Sequence, residues 1–207
     1  MFYACDRPDP RLSVNPFKAC IVPRPIGWIS TVDAVGVPNL APFSFFNAIS
    51  EQPPMVMFCA NGQHVEGGEK DSVKNARETG EFVVNLATWD LRYAVNESSA
   101  EVARSVDEFE LAGLTPAPCN RVRPPRVAQS PISLECVVCD IYELPSEEPE
   151  DMGRMVMGRV LGIHIADEAI VQGRVSVAKL HPIARLGYSE YARIEEIFKM
   201  IRPGARV

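Results

Sequence analysis

Two stretches of the chain concentrate residue types that hold an anion and a flat ring. The first is EKDSVKN, which sets Lys70, Asp71, Ser72 and Asn75 around the expected start of a helix. Unpaired N–H groups at a helix N-terminus, with a lysine and a hydroxyl beside them, hold phosphate. The same residues also make an ordinary capped helix with a solvated lysine, and alone they favour that plainer reading. The second stretch is NLAPFSFFNAIS, Asn39 to Ser50. As one strand it places Ser44, Phe46, Ala48 and Ser50 on one face, and Phe43, Phe45, Asn47 and Ile49 on the other. Pro42 cannot donate to a ladder, so it marks an edge or a bulge where amides are left free. A heteroaromatic ring needs apolar side chains over its face and amides or hydroxyls at its rim. Ser30 and Thr31 stand ready on the preceding strand. A barrel strand with its phenylalanines in the core explains the pattern equally well.

Other chemistries find little footing. The sequence holds no GxGxxG after a strand, no P-loop, no HExxH and no GxSxG. His64, His164 and His181 are scattered, and each reads as a surface or core histidine rather than as half of a nucleophile–base pair. Cys136 and Cys139 form one CxxC, but they sit in the alternating segment ISLECVVCDIYEL. Strand residues three apart point to opposite faces, so the two thiols diverge. With no second CxxC, buried cysteines are favoured over zinc or dithiol redox, and no metal is expected.

Composition narrows the class. The 207 residues carry 21 Lys and Arg against 27 Asp and Glu, a net charge of −6, and no basic run, which argues against nucleic acid. Eighteen prolines suit short strands and loops. Asp6, Arg7 and Asp9 stand where a secretion signal needs an apolar run, and no stretch is long enough to span a bilayer. The expectation is a cytoplasmic protein, away from membranes, whose six cysteines stay reduced.

The positioning elements follow from pattern. Pro25 to Asp33 reads as a strand and Asp33 to Gly36 as its turn, with the Asn39–Ser50 stretch returning as the partner. Met55 to Ala60 is a buried strand and Asn61 to Ser72 a glycine-rich loop, in which His64, Gly67 and Gly68 form a turn rather than a flap. A short helix is expected from about Ser72 to Thr79, capped by Asp71 or Ser72 and closed by Gly80. Glu81 to Thr88 is a strand, Trp89 to Leu114 helical, and ISLECVVCDIYEL and RMVMGRVLGIHIADEAI two long strands. The tail LHPIARLGYSEYARI reads as loop and short helix. No repeat or linker divides the chain. The expectation is one domain over residues 1–207, with an N-terminal arm to about 16 and a C-terminal tail from about 192. Its class is mainly β (α+β): a curved antiparallel sheet closed into a small barrel, with peripheral helices.

The run PRPIGWISTVDAVGVPNLAPFSFFNAISEQPPMVMF, then KDSVKN and TGEFVVNLAT, resembles the flavin reductase-like, FMN-binding split-barrel family. SPISLEC and PIARLGYSEY match later stretches of the same pattern, so the resemblance covers about Phe17 to Tyr191. It implies an FMN-binding split β-barrel, commonly a homodimer with flavin near the subunit interface. It further implies hydride transfer from NAD(P)H to flavin N5, then onward to an acceptor, a redox protein or a partner monooxygenase. A flavoredoxin-like FMN carrier without nicotinamide activity, or a relative holding pyridoxal phosphate, are the alternatives. By position, Ser44, Phe45, Phe46, Asn47, Ala48 and Ile49 would line the ring's rim, with Trp28, Ser30 and Thr31 beside them. Lys70, Asp71, Ser72 and Asn75 would surround the phosphate, with Asn61 at the head of the loop before them. Arg185 and Tyr188 would lie at or near the pocket, reaching across a dimer. No catalytic side chain is implied, because the flavin carries the chemistry. The loop before Lys70 is longer than the family pattern, which loosens the alignment there.

Overall fold

The computed structural model describes residues 1–7 and 9–204. Seven strands form its main sheet: β1 (Gly27–Val32), β2 (Pro38–Phe43), β3 (Phe46–Glu51), β4 (Pro54–Ala60), β5 (Glu81–Leu86), β6 (Ile132–Glu143) and β7 (Arg154–Ile165). Every pairing is antiparallel, in the order β2-β1-β5-β6-β7-β4-β3. The edges are therefore β2 and β3, which follow one another in sequence. Only Ser44 and Phe45 separate them. Two residues cannot bridge a flat sheet of this width, because neighbouring strands lie about 4.8 Å apart. The sheet must curl until its edges meet, which makes a barrel split along the β2/β3 seam. The expected single strand over Asn39–Ser50 is thus two strands, broken where the chain crosses the seam.

The prolines fit this edge. Leu40 N–H points away from β1 and donates to Glu108 Oε2 at 3.1 Å. Backbone groups alternate sides along a strand, so Pro38 and Pro42 stand on the same outward side as Leu40. Their missing N–H groups cost the β1–β2 ladder nothing. Glu108 belongs to a short helix, α3 (Glu108–Leu111), which covers this edge.

Two buried clusters hold the sheet. Ile29, Val56, Phe58, Phe82, Val84, Cys136 and Val156 gather from five strands, and Val73 and Ala76 of helix α1 (Asp71–Thr79) join them. On the opposite face of β1, Trp28 meets Leu40, Val95, Phe109 and Ile183. Phe43 and Phe46, on either side of the crossing, pack on the first cluster. Gly27 makes this possible, because a Cβ there would lie 2.5 Å from the Phe46 ring.

Several expected elements differ. Helix α1 begins at Asp71, one residue early, with Lys70 as its N-cap and no side-chain cap, because a lysine offers no acceptor to the first helical N–H groups. Gly80 closes it in the left-handed conformation (φ 73), as expected. The span Trp89–Leu114 is two short helices, α2 (Arg92–Glu97) and α3, rather than one. Ser98 and Ser99 turn their hydroxyls onto Val95 O and Asn96 O, competing with the helix ladder, and Asp107 caps a fresh start by accepting from Phe109 N–H. The tail forms strands Ile183–Arg185 and Tyr191–Arg193, which pair with each other, the first also with Arg24–Pro25. Cys136 is buried and Cys139 exposed, so the CxxC does diverge, and all six cysteines are free.

Gly27→Ala should destabilise the protein by about 1–3 kcal/mol, because Phe46 must leave its place against β1. Urea unfolding followed by fluorescence measures this, and an unchanged midpoint would mean that the seam does not depend on this contact.

Candidate functional site

An open cleft of about 610 Å³ lies beside the seam. One wall is the outer run of β2, with Asn39, Ala41, Pro42 and Phe43. The opposite wall is the start of α1, with Lys70, Asp71 and Ser72, and the loop residues His64 and Val65. Ser98 to Val102 and Glu108 complete it. The start of α1 carries the partial positive charge of the helix and no capping side chain. Among the described residues, Lys70 Nζ is held only by the exposed Glu101, at 3.8 Å. Asn39 adds a buried Nδ2 donor without a partner among the described residues. Free donors, a weakly paired cation and the Pro42–Phe43 apolar surface fit a phosphorylated ring compound.

Arg104 and Asp71 hold the cleft's shape. The Arg104 guanidinium pairs with the Asp71 carboxylate and also donates to Gly67 O at 2.9 Å and Glu69 O at 3.0 Å. His64 Nε2 lies 3.4 Å from Asp71 Oδ2, and its Nδ1 accepts from Glu66 N–H at 3.0 Å. Burial, and then the charge of Arg104, holds the His64 imidazole below its ordinary pKa. It is therefore neutral near pH 7, and it accepts at Nδ1 while its Nε2 proton faces Asp71. Between them these groups fix the glycine-rich loop, whose His64–Gly68 segment closes as a hydrogen-bonded turn. Burial also raises the Glu108 carboxyl above its usual range, although Leu40 N–H opposes this.

The rim beyond the cleft is built by β3. Phe45 O accepts from Cys59 N–H, so Asn47 faces β4 and Ala48 faces outward. The outward Ala48 N–H is occupied by the Asn47 side chain, at 2.9 Å. A register shift between Ala48 and Ser50 leaves Ile49 as the bulged residue. On the far side of the crossing, Arg24 Nε reaches Ser44 Oγ at 3.4 Å. Arg185 is the strand partner of Arg24, and it contacts Tyr188 O and Tyr191 Oη.

The flavin reductase like domain family matches residues 19–180. The chain belongs to the flavin reductase-like family. It is similar to an uncharacterised protein of Halalkalibacterium halodurans, 36% identical over 88% of this chain and 87% of that one. Among solved structures it resembles nitrilotriacetate monooxygenase component B from Bacillus cereus, with a TM-score of 0.82 and 33% identity, over 91% of this chain and 98% of that one. A candidate flavin reductase with a split barrel domain from Shewanella frigidimarina (TM-score 0.81, 17% identity, 98% and 99% covered) shares the fold. So does the flavoredoxin of Desulfovibrio vulgaris (TM-score 0.75, 17% identity, 89% and 93% covered). Membership of this family implies a flavin cofactor.

The flavin reductase-like fold brings Lys70, Asp71 and Ser72 together in the cleft, and leads from it through Phe43 to Ser44–Ile49. Trp28, Ser30 and Thr31 do not line it. Each is fully buried: Trp28 Nε1 donates to Ser98 Oγ, Ser30 Oγ to Pro125 O, and Thr31 Oγ1 accepts from Asn75 Nδ2. Asn75 is thereby a strut between α1 and β1, beside a smaller neighbouring cleft. Asn61 is exposed, and its Oδ1 lies 3.5 Å from Cys59 Sγ, away from the cleft wall. Arg185 and Tyr188 lie outside the cleft of this chain. Sequence reasoning missed Asn39, Arg104 and Glu108, since a lone Asn, Arg or Glu far along the chain carries no local signal. Glu108 would have needed the break between α2 and α3 to be foreseen.

Arg104→Ala should release the loop. Charge-assisted hydrogen bonds are worth roughly 1.5–3 kcal/mol each, so amide exchange in residues 64–70 should quicken by roughly tenfold or more. Unchanged protection there would assign the loop's order to something other than Arg104.

Proposed function

We propose that this flavin reductase-like protein binds FMN along the β2/β3 seam, oxidises NAD(P)H and passes the electrons to an acceptor or a partner monooxygenase. The observation that carries this reading is the cleft between the outer run of β2 and the start of α1. Lys70 and the start of α1 give it an anion-holding end, and its β2 wall ends at Pro42–Phe43, where the chain crosses to β3. When bound, FMN supplies the redox chemistry, accepting a hydride from the nicotinamide. The chain's own residues bind and orient. Lys70 exchanges the exposed Glu101 for the phosphate, which the Ser72 hydroxyl and the first amides of α1 also face. Asn39 Nδ2 finds a partner at the polar edge of the cofactor. Asn47 gives up the Ala48 N–H or presents its own carboxamide to the ring's rim. Phe43 supplies apolar contact and excludes water from one side. Hydride transfer itself needs no side-chain acid or base.

The assembly we infer is a homodimer in the cytoplasm, with Arg185 and Tyr188 completing the site from the partner. No helix among the described residues is long and apolar enough to cross a membrane. The similarity to a monooxygenase component B supports the reductase reading over that of an FMN carrier.

FMN should bind at least roughly tenfold more tightly than riboflavin, since the phosphate contacts are charge-assisted. Fluorescence titration compares them, and equal affinities would remove Lys70 and Ser72 from the site. Under anaerobic conditions, NADH or NADPH should bleach bound flavin within seconds, as turnover of about 1–1000 per second implies. Asn47→Leu should weaken flavin binding or slow bleaching, while the exposed Lys179→Ala should do neither. Reduction by dithionite but by neither nicotinamide would make the protein a carrier.

A further inference from the structure

Away from the cleft, Cys119, Glu135 and His164 place a thiol, a carboxylate and an imidazole with ligand atoms all within 4.8 Å of one another. They come from three elements: the loop between the short strands Pro116–Ala117 and Arg126–Val127, strand β6, and strand β7. Glu135 is almost fully buried, at 1% exposure. Its carboxylate is fixed by Asn120 N–H on Oε1 at 2.9 Å and Arg121 N–H on Oε2 at 2.5 Å, so the residues after Cys119 dock directly on it. His164 Nε2 meets Oε1 at 2.6 Å. Burial alone would raise the Glu135 pKa, but these amides and His164 outweigh it and hold the group ionised.

We propose that Cys119, Glu135 and His164 bind one zinc-class divalent cation, with water in the fourth position. The ligand set of sulfur, nitrogen and oxygen selects zinc over magnesium or calcium, which take oxygen alone. Glu135 has the orientation a ligand needs, since backbone amides hold it and Oε2 keeps a free lone pair. Space exists beside it. Gly162 is its strand partner on β7, next to a register shift after Val160, and a Cβ at Gly162 would meet nothing within 4 Å. An entry path exists too, because Cys119 is half-buried and the His164 side chain is 25% exposed.

The adjustment on binding is small. Metal–ligand bonds of about 2.0–2.1 Å at tetrahedral angles separate nitrogen from oxygen by about 3.3 Å, so the His164–Glu135 contact opens by under about 1 Å. His164 presents its Nε2 lone pair to the ion, any proton there passing to Nδ1 or to solvent, and Cys119 gives its proton to solvent as the sulfur–metal bond forms. Binding therefore releases protons. Burial, and then the Glu135 charge, push the Cys119 thiol up to about 11 against the opposing Arg126, so the bond to the metal itself has to drive the loss of that proton. The ion would pin the 118–126 loop to β6 and β7. That loop carries Pro125 O, the acceptor of Ser30 Oγ, so the pin braces the wall behind the seam.

The test uses full-length protein, stripped by chelator and titrated anaerobically with Co(II), with flavin absorbance subtracted. One equivalent should bind and give a thiolate-to-cobalt charge-transfer band, which Zn(II) then displaces. Cys119→Ser, a near-isosteric change, should abolish the band, and Cys139→Ser should leave it intact. His164→Gln should weaken binding by roughly tenfold or more, at least the loss that an outer-sphere change brings. The proposal is overturned if no band forms, if the band survives Cys119→Ser, or if Cys139→Ser removes it equally.

Discussion

The two-residue crossing from β2 to β3 is the constraint on which the rest of the molecule depends. Ser44 and Phe45 join the two edges of a seven-stranded sheet. That connection forces closure, and closure sets Phe43 beside Phe58, with ring centroids 5.1 Å apart. Phe58 in turn meets Phe82 edge-on at 5.4 Å. Such pairs add about 0.5–1.5 kcal/mol each beyond the area they bury. The aromatic column inside the barrel therefore stabilises the same turn that creates the seam. Gly27 and Gly158 each remove a Cβ that would collide with a ring here, Gly27 with Phe46 and Gly158 with Phe82.

Closure leaves two edges that cannot pair, and unpaired edges invite association with other chains. The two are treated differently here. On β2, Pro38 and Pro42 remove outward donors and Glu108 takes the remaining one at Leu40. On β3 the outward Ala48 N–H is masked by the adjacent, exposed Asn47 side chain, which can swing away. The β2 edge is thus closed, while the outward Ala48 N–H of β3 is covered by one exposed carboxamide. This asymmetry fits the proposal that β3, rather than β2, presents amides to the cofactor. The end of the cleft at the start of α1 has a comparable logic. Asp71 would oppose an anion, but Arg104 neutralises it and uses it to hold the loop. Lys70 is left on a weak, exposed tether.

The sequence revealed the fold through segments with strong local patterns. The alternation of ISLECVVCDIYEL and the Gly80 stop of α1 needed no tertiary knowledge. Pro42 announced an edge, and that was right, but the expected consequence was inverted. The proline closes its own edge, and whether its missing N–H faces the ladder or the outside depends on register, which local pattern does not show. The single strand over 39–50 failed for a related reason. Ser44 and Phe45 have ordinary strand propensities, and only the sheet order reveals that they cross a seam. The helix expected over 89–114 failed because Ser98 and Ser99 bond backwards onto the helix, a competition that propensity ranks poorly. Along the cleft wall, Lys70 and Ser72 stand at the helix start that local pattern placed within a residue, although helix-start chemistry alone favoured a plain capped helix. Asn39 and Arg104 were not, because their roles arise from long-range packing. Ser30 and Thr31 carry hydroxyls in the right strand, yet both are consumed by internal hydrogen bonds. The Cys119, Glu135 and His164 group was equally invisible, since its members lie 16 and 29 residues apart with no motif spacing.

The account rests on the seam being the cofactor site, and a crystal structure of the protein with FMN tests that most directly. The phosphate should lie within hydrogen-bond distance of Lys70 and the first amides of α1. The ring should lie along β3, with Asn47 turned away from Ala48 N–H. Density for the ring on the opposite face of the barrel, or a phosphate remote from α1, would contradict the account.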